Sequence, residues 1–114
     1  ELDDIMLLKV GRHLRPRPNF KIIVGREEGE NRFLEGYRKR FVHMFPISHT
    51  GPLVLLDGEL AAGDLELAAR LTARFSKGRD AASVTVQVGD LNGNVETLDV
   101  LPLPAEDIQA GWYL

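Results

Sequence analysis

Across residues 4–16 the run DIMLLKVGRHLRP places Met6, Leu8, Val10 and Leu14 at even positions and Lys9, His13 and Arg15 at odd ones. Alternation with a period of two predicts a strand with one buried face. Arg12 breaks the alternation just after Gly11, which predicts a β-bulge at that glycine. RPRPN then reads as a turn, and FKIIVG returns as a second strand with Phe20, Ile22 and Val24 facing inward. The outer face of this hairpin would carry Lys9, His13, Arg15 and Lys21.

The period then changes. Residues 27–39 place Phe33, Leu34 and Tyr37 on one side, the spacing of a helix weakened by Gly36. FVHMFP is a short strand stopped by Pro46, SHTG a turn, PLVLL a buried strand and DGELAAGD a loop. Asp64 is placed to cap a second helix whose apolar stripe is Leu67, Ala68, Leu71, Thr72 and Phe75, with Gly78 beyond its end. SVTVQVGDL and VETLDVLPL flank Asn92-Gly93, a strong hairpin signal. The predicted order is β-β-α-β-β-α-β-β. It describes a single α+β domain with a mainly antiparallel sheet of six strands and two helices, near 28–39 and 64–76. The helices would pack through Leu34 and through Leu67, Leu71 and Phe75.

Composition narrows the class. The 114 residues suit one domain, 44% of them are hydrophobic, and there is no cysteine, so disulfide and thiolate chemistry are excluded and a reducing cytoplasm is the expected setting. No apolar run approaches a membrane span, and no membrane partner is expected. The chain opens on Glu1 and enters an apolar run almost at once, the expectation being a domain excised from a longer enzyme. The net charge of −3 conceals a split: residues 9–49 sum to +6 and residues 50–114 to −6. Such a split can give an acidic protein one basic face.

Few residues carry candidate chemistry. KIIVGREEGENRFL has the strand, glycine and helix of a phosphate-binding loop, but Glu27, Glu28 and Glu30 sit where the anion would go and no lysine follows. His13, His43 and His49 lack the spacing that puts two ligands on one helix face, so no metal is expected. Ser48 beside His49 lacks a nucleophile elbow, and Asp57 and Glu59 read as solvated acids, so no catalytic residue is assigned. The cations are richer. Six Lys/Arg and no acid lie between Lys9 and Arg26, and YRKRF adds Arg38, Lys39 and Arg40 between Tyr37 and Phe41. That combination can hold a phosphate backbone and stack an unpaired base. The alternative is that the two aromatics belong to the core and the cations suit a helix C-terminus.

Taken in order, VGRHL, IIVGREEGENRFL, HTGPLVLL, DLELAARLTARFSKG and VTVQVG resemble the NFACT RNA-binding domain. The chain especially resembles the variant fused to the C-terminus of thiouridylase-like, PP-loop tRNA-modifying enzymes. The match spans roughly residues 5–103. It rests on Gly11-Arg12-His13, on Val24-Gly25-Arg26 followed by Glu30-Asn31 and Leu34, on Gly51-Pro52, and on Ala68-Ala69 through Phe75-Ser76. In ribosome-rescue relatives the histidine turn reads Gly-Ser-His, whereas here it is Ile47-Ser48-His49-Thr50-Gly51-Pro52.

The resemblance implies a noncatalytic RNA-binding accessory domain, most plausibly for tRNA, with no cofactor of its own and with any ATP chemistry in an N-terminal catalytic domain that it would also contact. Arg12, His13, Arg15, Arg17, Lys21 and Arg26 would contact phosphates, and Arg38, Lys39 and Arg40 would extend the track. At the strand-to-helix junction Gly25 would let the backbone turn and Asn31 would tie it. The rival expectation is a docking or dimerisation module that makes no RNA contact.

Overall fold

The structure, a computed structural model, describes residues 2–114. Its elements are α1 (Leu2–Lys9), β1 (Arg12–Arg17), β2 (Phe20–Val24), α2 (Glu28–Glu35), β3 (Val42–Pro46), β4 (Val54–Gly58), α3 (Asp64–Arg74), β5 (Val84–Gly89) and β6 (Val95–Val100). Two 3-10 turns follow, Ala105–Asp107 and Ala110–Trp112. The six strands form one sheet in the order β1-β2-β4-β3-β5-β6, every pair antiparallel.

Two connections define the topology. From β2 the chain crosses β4 through α2 to reach β3, and from β4 it crosses β3 through α3 to reach β5. Both steps go the same way along the sheet from strands that point in opposite directions. Crossovers of one hand must then lie on opposite faces of the sheet. The packing agrees: Leu14, Phe20, Ile22, Val24, Met44 and Val54 meet α3 on one face. On the other, Ile23, Leu53 and Leu55 meet Leu34 of α2 and Leu7 of α1. Covering on both faces explains why Ile22, Ile23 and Val24 are buried in succession.

Several expectations are corrected. Residues 2–9 are helix, not the start of the first strand. β2 ends at Val24, which pairs with Arg12, so residues before Arg12 have no ladder partner. The contiguous run IMLL fits either periodicity, and α1 buries Leu7 while Ile5, Met6 and Leu8 stay exposed. Met6, Leu8, Val10 and Leu14 therefore share no strand face, and Lys9 leaves the hairpin for α1. The bulge is displaced too. Gly11 is the turn between α1 and β1, with φ of 80°, and the register shift falls between Leu14 and Arg17. The order becomes α-β-β-α-β-β-α-β-β, with three helices.

Other boundaries move less. α2 ends at Glu35 and passes into turns, α3 ends at Arg74, well before Gly78, and β4 continues through Asp57 to Gly58. Asp64 does not cap α3. Gly63 holds the N-cap position, and the Asp64 carboxylate turns back to the Ala61 N–H at 2.7 Å. The expected packing residues hold: Leu34 and Leu71 are fully buried, and Leu67 and Phe75 pack against the core. Asn92-Gly93 lies in the turn of the β5–β6 hairpin, with Gly93 at φ 84°.

Candidate nucleic-acid interface

The segments that carried the resemblance meet at one end of the sheet. Gly25 closes β2, Gly51-Pro52 leads into β4, and Phe75-Ser76-Lys77 leaves α3. The Gly25 N–H donates to Leu53 O at 3.0 Å, and the Leu53 N–H donates to Asn31 Oδ1 at 3.2 Å. Asn31 thus ties the junction, though not by the route expected of Gly25. That glycine is not at positive φ; its hydrogen is required because a Cβ there would overlap the Asn31 amide. Gly51 is as confined, since a Cβ would lie 2.5 Å from Pro46 Cγ and 2.7 Å from Ser76 Cβ. The Lys77 N–H then donates to Thr50 O at 2.7 Å, joining α3 to the same turn.

Glu30 completes the junction. Its carboxylate accepts from the Gly11 N–H at 3.0 Å, from the Arg26 N–H at 2.9 Å, and from Arg26 Nε and Nη2 at 2.9 and 2.6 Å. These donors, Arg26 first, hold its pKa down at about 2. The carboxylate expected to repel an anion at the start of α2 is consumed instead as a staple. Glu28 pairs with Arg32 at 2.9 Å.

Two grooves open around this junction. One, of ≈470 Å³, is lined by Arg26, Lys77, Arg79 and Phe75, together with Glu27 and Glu28. The second, of ≈400 Å³, is walled by Leu8, Arg12, His13, Lys21, Arg26 and Tyr113. Arg26 lines both. The Arg12 guanidinium lies 5.4 Å from the Phe75 ring centroid and 5.9 Å from that of Tyr113, with no carboxylate in ion-pair range among the described residues. His13 Nε2 donates to Val10 O at 3.0 Å, leaving Nδ1 to accept from Lys21 Nζ at 3.4 Å. Burial foremost, with the Lys21 charge adding, lowers the imidazole pKa, so His13 orients Lys21 as a neutral group.

The eight cations and one histidine picked from the sequence are thus divided. Arg12, His13, Lys21 and Arg26 come together on one groove. Arg15 lies at the far tip of the hairpin, donating to Pro18 O at 3.2 Å. Arg17 is held at 2.5 Å by Asp64, which is fully buried and also accepts from Asn19 Nδ2 at 2.7 Å. The Ala61 N–H first, then Asn19 and Arg17, lower the Asp64 pKa. At the end of α2, Arg38 meets Glu35 at 3.3 Å and Lys39 is exposed. Arg40 covers the rings of Tyr37 and Phe41 at 5.3 and 5.7 Å. A shallower groove of ≈330 Å³ runs along α2 from Asn31 and Gly51 to Arg38.

Lys77, Arg79 and Tyr113 were missed. The first two stand in the acidic half, where a regional charge count hides them, yet SKGR directly after a helix is a local cationic signal. Of the remaining histidines, His43 in β3 donates from Nδ1 to Phe41 O at 3.2 Å, and His49 Nδ1 shares a 2.8 Å hydrogen bond with the Ser48 hydroxyl, which also accepts from the Thr85 N–H at 2.9 Å. Among the described residues no group of three His, Cys, Asp or Glu has metal-binding geometry, and no helix is long and apolar enough to cross a membrane.

A two-faced α+β sheet with cations gathered at one end defines a small binding module. The chain belongs to the NFACT protein RNA binding domain family, whose model matches residues 11–113. Among solved structures it is similar to the C-terminal part of the fibronectin/fibrinogen-binding protein from Streptococcus suis, with a TM-score of 0.67 and 24% identity. That match covers 82% of this chain and 45% of the other, so the chain spans less than half of its neighbour, and the likeness is one of fold. Among curated proteins none matches the chain.

Proposed function

We propose that the domain binds tRNA through the two grooves that share Arg26, and that it positions this substrate for a thiouridylase-like, PP-loop tRNA-modifying enzyme of the cytoplasm in which it is an accessory module. The observation that supports this is the convergence of Arg12, Lys21, Arg26, Lys77 and Arg79, from three separate stretches of chain, on the junction that the family's motifs build. Chemistry and any ATP would belong to the parent's catalytic domain.

Each neutralised phosphate releases condensed counterions, so affinity falls as salt rises. Replacing Arg12, Lys77 and Arg79 together with Gln is expected to lower the log–log salt slope for tRNA by roughly two to three, about 0.7–0.9 per lost contact. Arg15→Gln and Arg32→Gln, outside the two grooves that share Arg26, leave it unchanged. Fluorescence anisotropy with labelled tRNA at several salt concentrations measures this, and an unaltered slope in the triple variant refutes the site. A second reading, docking on the catalytic domain without RNA contact, is favoured by the apolar surface of α1, where Ile5, Met6 and Leu8 are 52%, 42% and 63% exposed. Full tRNA affinity in a parent enzyme lacking this domain would select it.

A further inference from the structure

We infer that Arg12 and Tyr113 form a shelf on which one unpaired nucleobase stacks, so that the domain selects loop or terminal nucleotides of an RNA over duplex. The inference rests on the RNA-binding reading above.

The geometry singles out Arg12. Arg26 beside it and Arg17 at the far end of β1 are committed to carboxylates, whereas the Arg12 guanidinium is steadied by two rings. Stacking against rings fixes the plane of the guanidinium and leaves its edge donors for a ligand. Tyr113 is brought there by backbone. It bridges Leu14 of β1, and the next residue's N–H donates to His13 O at 3.0 Å, while Trp112 packs against the core. Despite this anchoring the Tyr113 residue remains 44% exposed. An ordered, half-exposed tyrosine beside an uncompensated arginine is the arrangement that base stacking requires.

Position supports the same conclusion. Phe75 lines the first groove and Tyr113 the second; Arg12 reaches both rings, and Arg26 lines both grooves. A phosphate held by Arg26, Lys77 and Arg79 therefore has a ring surface adjacent to it. The second groove, at ≈400 Å³, falls in the size range of single-ligand pockets, about 300–1,000 Å³. In a duplex both faces of a base are already covered by its neighbours, so only an unpaired base can use the shelf. The pair Tyr37 and Phe41 under Arg40 offers less, because Tyr37 is 8% exposed.

The test compares a hairpin RNA with 2-aminopurine in its loop and a blunt duplex of equal phosphate count. The wild-type domain is expected to bind the hairpin roughly tenfold tighter and to quench the loop fluorophore. Tyr113→Leu should lose that preference and the quenching, and Tyr113→Phe should keep both. Equal wild-type affinity for the two RNAs, or an unchanged preference in Tyr113→Leu, overturns the shelf and leaves the basic grooves standing. No affinity for either RNA overturns both readings. The wild-type quenching measurement decides the matter even if a variant misfolds.

Discussion

Arg12 and Arg17 begin and end the same strand, yet the fold uses them for opposite purposes. Residues five apart in a regular strand point to opposite faces. The register shift between Leu14 and Arg17 cancels that difference and brings Arg17 to the α3 side, onto Asp64 at the first turn of that helix. Arg12 reaches the same side at the other end of the strand and meets the Phe75 and Tyr113 rings. One arginine compensates a buried carboxylate; the other is steadied by rings and presented. A basic residue on a strand is therefore informative only once the acids of the opposing element are known.

The largest expected effect breaks the structural half of the comparison. Asp64→Ala leaves the Ala61 N–H, Asn19 and Arg17 without their shared acceptor, and should lower the melting temperature on the order of 10 °C in a circular-dichroism melt. Arg17→Gln should cost less, since two donors to the carboxylate remain, and Arg12→Gln should change the melt little. An Arg12→Gln loss as large as that of Arg17→Gln would erase the distinction.

A second variant sharpens it by asking what holds the presented end in place. Gly25→Ala forces a methyl onto the Asn31 amide and should cost about 1–3 kcal/mol in urea denaturation. Asn31→Ala leaves the Leu53 N–H without its acceptor and should cost about 1–2 kcal/mol. The double variant should cost clearly less than the two together, because the shortened side chain vacates the space that the new methyl needs. Strict additivity would show that Gly25 matters for some reason other than this contact.

How far the sequence discloses this arrangement depends on whether a signal is local. The β5–β6 hairpin and α3 are legible because Asn92-Gly93 and the stripe through Leu71 carry their own periodicity. α1 is not legible because IMLL fits either period, and only the length of β2 decides between them. The glycine is the local signal for a bulge, while the structure has it near Pro16, a residue that cannot donate to a ladder. The basic cluster was visible, but its division was not. Asp64 and Glu30, from separate elements, neutralise two of its members, and Lys77 and Arg79 join from a stretch whose sum is acidic. Pairings of that kind follow from topology, which no short window contains.

The smallest effect concerns pH and separates His13 from the carboxylates of Glu30 and Asp64 by where they titrate. Asp64 and Glu30 have carboxyl pKa values held below their ordinary values, so each stabilises the fold above pH ~4.5 and loses that contribution as pH falls, Glu30 toward about 2. His13 also has a lowered pKa, chiefly through burial, but its ordinary value is 6.5. The unfolded chain therefore binds a proton on His13 before the folded chain does, and stability must begin to fall as pH drops below 6.5 through the folded value. The proton would add a charge beside Lys21 and remove the Nδ1 lone pair that faces its ammonium. His13→Gln should flatten the pH dependence of the melting temperature between pH 7 and 5 and leave the acid limb below pH 4.5 intact. Melts at half-unit pH steps would show this. A wild-type midpoint that rises as pH falls from 7 to 5 would mean that His13 is stabilised as the cation, and it would return that residue to the set of phosphate-binding charges.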